Sequence, residues 1–153
     1  MSKARIYLSL GSNLGDRAAN LARAVTALGA APGVRVVARS HVRETEPVGV
    51  AEPFKKLKFL NMAVAVETDL APRALLAVCQ QTEKDLGRVR PAPRNAPRPV
   101  DIDIVAGDGP LVVDEPPDLV VPHPRARERA FVLEPLAEIA PNLVWPEVKS
   151  HGR

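Results

Sequence analysis

From Arg5 to Ser12 the chain alternates, with Ile6, Leu8 and Leu10 on one side. Successive strand side chains point to opposite faces, so this stretch predicts a first strand. Leu21, Val25 and Leu28 then recur at i, i+4 and i+7, the stripe of an amphipathic helix. Asp16 stands where it can cap that helix, and Gly29 with "APG" ends it. "VRVVARSHVR", residues 34–43, predicts a second strand. Val34, Val36, Ala38 and Val42 fall on its buried face, with Arg35, Arg39, His41 and Arg43 at or near the other. "FLNMAVAVET", residues 59–68, predicts a third strand. Leu60, Met62, Val64 and Val66 share one side, and Phe59, Asn61, Ala63 and Ala65 share the opposite one.

"APRALLAVCQQTEKDLG" reads as a second helix, with Pro72 near its first turn and Gly87 at its end. "PVDIDIVAG" reads as a fourth strand followed by a turn at "GDGP", and "RARERAFVLEPLAEIAP" as helical at least in part. The order is β-α-β-β-α-β. The expected class is α+β: a ferredoxin-like core, an antiparallel sheet with helices packed on it, plus a C-terminal extension. The helices leave the other side of the sheet for loops or ligands. A chain of 153 residues is the size of one domain, taken here as 1–153.

Composition adds little to that outline. The chain is 46% hydrophobic and 25% charged, ordinary for a soluble globular protein. A formal charge of +3 suits an anionic ligand. The single cysteine, Cys79, rules out an internal disulfide and sits in an apolar helical run, where it reads as packing. The apolar run near the N-terminus is too short for a signal peptide or membrane span, so a cytoplasmic protein without a membrane partner is expected.

The candidate chemistry begins at "RPVDIDIV". Asp101 and Asp103 lie two apart on a strand, so their carboxylates share a face and repel each other. On that pair alone, a solvated strand face is the commoner outcome. The alternative is a Mg²⁺ site, because Mg²⁺ takes carboxylate oxygens, waters and substrate phosphates. The preceding loop "RVRPAPRNAPR" carries Arg88, Arg90, Arg94 and Arg98 without an acid. Pro91, Pro93, Pro97 and Pro99 keep this stretch out of regular elements. Arginine forks match phosphate oxygens, so loop and acids together hold the parts of a phosphoryl-transfer site. A solvated basic loop or a nucleic-acid patch stays open. "GSNLG" lacks the ending of a P-loop and reads as a tight turn. His123, between two prolines and followed by Arg125, Arg127 and Arg129, is either a phosphate donor or a surface histidine. Aromatic residues make up only 3% of the chain. Phe59 and Phe131 are therefore candidates to sandwich a flat heterocycle that Asn61 reads at its edge, with core packing as the alternative.

"LSLGSNLGDR", "ETEPVG", "FLNMAV", "LGRVR", "APRPVDIDI" and "VPHPRARERAFVLEPLAEIAP" occur in this order. Together they resemble the 6-hydroxymethyl-7,8-dihydropterin pyrophosphokinases of folate biosynthesis, from about Ile6 to Trp145. The resemblance implies transfer of the β,γ-pyrophosphoryl group of ATP to the pterin hydroxymethyl oxygen, with release of AMP. It implies two Mg²⁺ ions on Asp101 and Asp103, with Asp101 also facing the pterin. Arg88 and Arg98 would clamp the transferring phosphates, and Arg90 and Arg94 would ride on the same loop, which becomes a candidate lid. Gln80, Glu83, Arg90, Arg94, Ile104, His123 and Arg129 would serve ATP. Thr45, Val48, Phe59, Asn61 and Phe131 would serve the pterin. The expected partners are these small molecules, with no nucleic acid, and the expected state is a monomer. The chain departs from the family at Asn95, where many members carry tryptophan, and in the basic connection "AEPFKKLK".

Two other classes compete. An RNA-binding sheet would stack bases on Tyr7 and Phe59, although two acids on that face would repel phosphate. A small-molecule-sensing module would have no use for the arginine loop.

Overall fold

The computed structural model describes residues 4–46, 58–88, 97–108 and 111–146. The first strand, β1 (Ala4–Ser12), lies in the middle of the main sheet. It pairs antiparallel with β4 (Phe59–Thr68) on one side and with β5 (Asp101–Gly107) on the other. β2 (Val34–Arg39) pairs with the end of β4 nearest Thr68, and β3 (Arg43–Thr45) with its start. The connections are α1 (Arg17–Ala30) and α2 (Pro72–Asp85). This is the expected α+β arrangement, with antiparallel strands and helices packed on the sheet.

The alternation dictates the layers. Ile6, Leu8, Leu10, Met62, Val64, Val66, Ile102 and Ile104 face α1 and α2 and form the main core with Leu21, Leu28, Leu75 and Cys79. Cys79 is fully buried, and burial pushes its thiol up to about 12, so it packs as a hydrophobe. Asp16 caps α1 by accepting from the Ala19 N–H at 3.1 Å. Pro72 opens α2, where a missing N–H costs nothing.

The opposite side of the sheet carries a second apolar cluster. Tyr7, Ala63, Ala65, Val105 and Ala106 are covered there by Val132 and Leu136 of α3 (Ala130–Ile139). α3 includes Pro135, which leaves the Phe131 carbonyl without its usual helical donor. Glu138 fastens the helix to the rest, accepting from the His41 N–H at 2.9 Å and the Arg43 guanidinium at 2.7 Å. These donors hold its carboxyl down at about 2.

Some expectations need correction. The single second strand is two, because the Ser40 hydroxyl accepts from the Ala63 N–H at 2.8 Å and replaces a ladder bond. The register also shifts between Val36 and Ala38, so Ala38 joins the second cluster, not the face of Val34 and Val36. Val42, assigned to the buried face, is 44% exposed. The fourth strand starts at Asp101, after the prolines, and "LVVDEPPDLVV" forms a hairpin of β6 (Val113–Glu115) and β7 (Leu119–Val121) that the pattern did not announce. Among the described residues no helix is long and apolar enough to cross a membrane.

Candidate active site

Where α3 stops, the second side of the sheet changes character. The next positions along the same strands are Ser9 and Gly11 on β1, Asn61 on β4, and Asp101 and Asp103 on β5. Register sets them in rows: Gly11 is opposite both Asn61 and Asp101, and Ser9 is opposite Asp103. These residues line a cavity together with Thr45, Phe59, Arg98, Arg129 and Phe131. Gly11 is required by close approach. A Cβ there would lie 3.0 Å from Asn61 Oδ1 and 3.3 Å from the Phe59 ring.

The cavity joins the predicted heterocycle binders. Phe59 carries the Arg98 guanidinium 5.9 Å from its ring centre, and Phe131 carries that of Arg129 at 5.6 Å. Asn61 is 3% exposed, and its Nδ2 donates to the Thr45 hydroxyl. Both partners are thus fixed in orientation, with Asn61 Oδ1 turned toward Gly11.

The two acids sit in different surroundings. Asp101 accepts from Arg88 at 2.7 Å and from Arg98 at 3.4 Å. Asp103 is pushed up to about 7, first by burial and then by the neighbouring Asp101 and Glu83 carboxylates, against relief from Arg129 and Arg88. Asp103 also lines a second cavity, on the far side of β5, with Leu76, Ile104, Leu119 and His123. Asp103 therefore borders both cavities. His123 is held by its N–H donating to the Val105 carbonyl at 2.7 Å. Its Nδ1 accepts from the Arg125 N–H at 3.2 Å, which puts the ring proton on Nε2. Burial, then Arg129, lowers its pKa, so a neutral Nε2–H donor is its form at neutral pH.

Two carboxylates on one strand face, one of them short of countercharge, are hard oxygen donors suited to Mg²⁺. Among the described residues no group of three or more His, Cys, Asp or Glu could hold a metal alone.

Other predicted residues fall elsewhere. Glu83 is 3% exposed and lines neither cavity. Its carboxylate accepts from the Ile102 N–H at 2.8 Å and from Arg88 at 3.0 Å, so it joins α2 to β5 and aims Arg88 at Asp101. Gln80 is exposed on α2, one turn beyond Leu76, and lines neither cavity. Val48, Arg90, Arg94 and Asn95 lie outside the described residues, as does most of the proline-arginine loop. Sequence reasoning missed Gly11 and Asn13, both in the stretch it took for a plain turn. The side chain of Asn13 accepts from the Arg98 N–H at 2.8 Å.

A sequence model of the 7,8-dihydro-6-hydroxymethylpterin-pyrophosphokinase (HPPK) family matches residues 7–141. Over 140 residues the chain is 56% identical to the 2-amino-4-hydroxy-6-hydroxymethyldihydropteridine pyrophosphokinase of Methylorubrum extorquens, covering 92% of this chain and 85% of that protein. The protein of the same name from Bacillus subtilis is 46% identical over 133 residues, covering 87% and 76%. A solved HPPK-DHPS structure in complex with substrates matches with a TM-score of 0.66 at 15% identity, over 94% of this chain and 41% of that one. At that identity the likeness speaks for the fold alone.

Proposed function

The chain belongs to the 7,8-dihydro-6-hydroxymethylpterin-pyrophosphokinase family, and from that premise we propose how its two cavities divide the work. The protein transfers pyrophosphate from ATP to the hydroxymethyl group of 6-hydroxymethyl-7,8-dihydropterin, releasing AMP, in folate biosynthesis. The pterin occupies the cavity of Phe59, Asn61 and Phe131; ATP occupies that of Ile104 and His123. One observation carries this division: Asp103 lines both cavities, so a phosphate chain in one reaches the hydroxymethyl group in the other.

The reaction forms a bond from the hydroxymethyl oxygen to the β-phosphorus and breaks the bond from that phosphorus to the α,β-bridging oxygen. Asp101 and Asp103 would hold Mg²⁺, which supplies charge neutralisation to the triphosphate. Phe59 and Phe131 hold the flat ring, and Asn61 Oδ1 accepts from its edge. Arg98, on the same cavity, and Arg88, beside Asp101, meet the transferring phosphates. His123 donates through Nε2, and Arg129 adds charge. Alignment and electrostatic complementarity supply the rate, as in phosphoryl transfer generally.

The test is product analysis of the full chain with ATP, with and without the pterin and Mg²⁺. AMP released only when both are present supports the reading. ADP as the product, or AMP without pterin, overturns it.

A further inference from the structure

We propose that Asn13 is a positioning residue for Arg98, fixing the main chain from which that guanidinium reaches the site. Arg98 lies between Pro97 and Pro99, neither of which has a backbone N–H. Of these three residues, only Arg98 can be held through its main-chain donor. Asn13 takes that donor: its Oδ1 accepts from the Arg98 N–H at 2.8 Å, while its own N–H donates to the Arg98 carbonyl at 3.2 Å. Neither bond belongs to the sheet, since β5 begins only at Asp101. The flanking prolines limit backbone rotation, so a pinned Arg98 main chain sets where its side chain starts. From there the guanidinium covers Phe59 and reaches Asp101.

A second observation points the same way. Asn13 is 4% exposed, yet its Nδ2 has no hydrogen-bond partner among the described residues. A buried donor left unsatisfied works against stability. The hydrogen bond described for this side chain is the one that its Oδ1 accepts from the Arg98 N–H.

This proposal rests on Arg98 as a phosphate clamp, and a double-mutant cycle separates the two claims. With Asn13→Ala, kcat is expected to fall about 10²-fold, the scale of a misplaced catalytic group. In an Arg98→Ala background the same change is expected to alter kcat by about twofold or less, because the residue it positions is gone. An equal loss in both backgrounds, or no loss from Asn13→Ala alone, overturns the positioning claim while leaving the clamp intact. Near-normal turnover in Arg98→Ala overturns the clamp reading itself, and the positioning claim with it. Amide exchange in the unaltered protein needs no variant to fold. The Arg98 N–H is expected to exchange as slowly as the amides of β5, and exchange at an unprotected rate overturns the proposal.

Discussion

The second side of the sheet has two halves built from the same three strands. Under α3 the positions are Tyr7, Ala63, Ala65, Val105 and Ala106, small or apolar and packed. A few residues along, positions of the same orientation are Ser9, Gly11, Asn61, Asp101 and Asp103, and they line a cavity. The same strands run through both halves, with a register shift against β5 between Tyr7 and Leu8 at their boundary; side-chain chemistry and the reach of α3 distinguish them. One half stabilises by removing apolar area from water. The other sets carboxylates side by side, an arrangement that costs stability and that a bound cation can offset.

If the division is right, substitutions in the two halves have opposite signatures. The largest effect is expected from Asp101→Ala, Asp103→Ala and Arg98→Ala. Each should lose at least about 10²–10³ in kcat, the scale of one preorganised electrostatic group, with little change in melting temperature. Steady-state kinetics on folded protein checks this, and near-normal turnover in all three would sink the assignment.

In the packed half, Leu136→Ala should cost about 2–3 kcal/mol of unfolding free energy in denaturant titration, by cavity formation, while kcat stays close to normal below the melting transition. A kinetic defect with unchanged stability would erase the distinction between the halves. Gly11→Ala probes the boundary. Its Cβ would crowd Asn61 and Phe59, so pterin affinity should fall about tenfold by overpacking while affinity for an ATP analogue holds, as calorimetry with each ligand would show.

The smallest effect concerns the fastening of α3. The Glu138 carboxyl sits at about 2, below its ordinary 4.5. A lowered pKa means its contribution to stability is fully present above about 4.5 and lost as pH falls toward 2. The melting-temperature gap between the protein and Glu138→Gln should therefore be constant above pH 5 and close as the pH approaches 2. A gap independent of pH would contradict the ion-pair account.

Much of the candidate site was legible because strand periodicity is local. The shared face of Asp101 and Asp103, that of Phe59 and Asn61, and the Asp16 cap each follow from residues a few positions apart. What local pattern could not show was set by contacts across the fold. Ser40 splits a strand by bonding to Ala63, and Glu83 turns inward because β5 offers it the Ile102 N–H. Gly11 looks like any turn glycine until β4 brings Asn61 against it. Asn13 has a readable signal only in retrospect: a lone N–H between two prolines needs an acceptor.

The account turns on the two cavities meeting at Asp103. A crystal structure with 6-hydroxymethyl-7,8-dihydropterin, a non-hydrolysable ATP analogue and Mg²⁺ tests that most directly. The expected result is the pterin between Phe59 and Phe131, the nucleotide beside Ile104 and His123, and metal on Asp101 and Asp103. Either ligand lying outside its cavity, or metal bound away from the two aspartates, would contradict it.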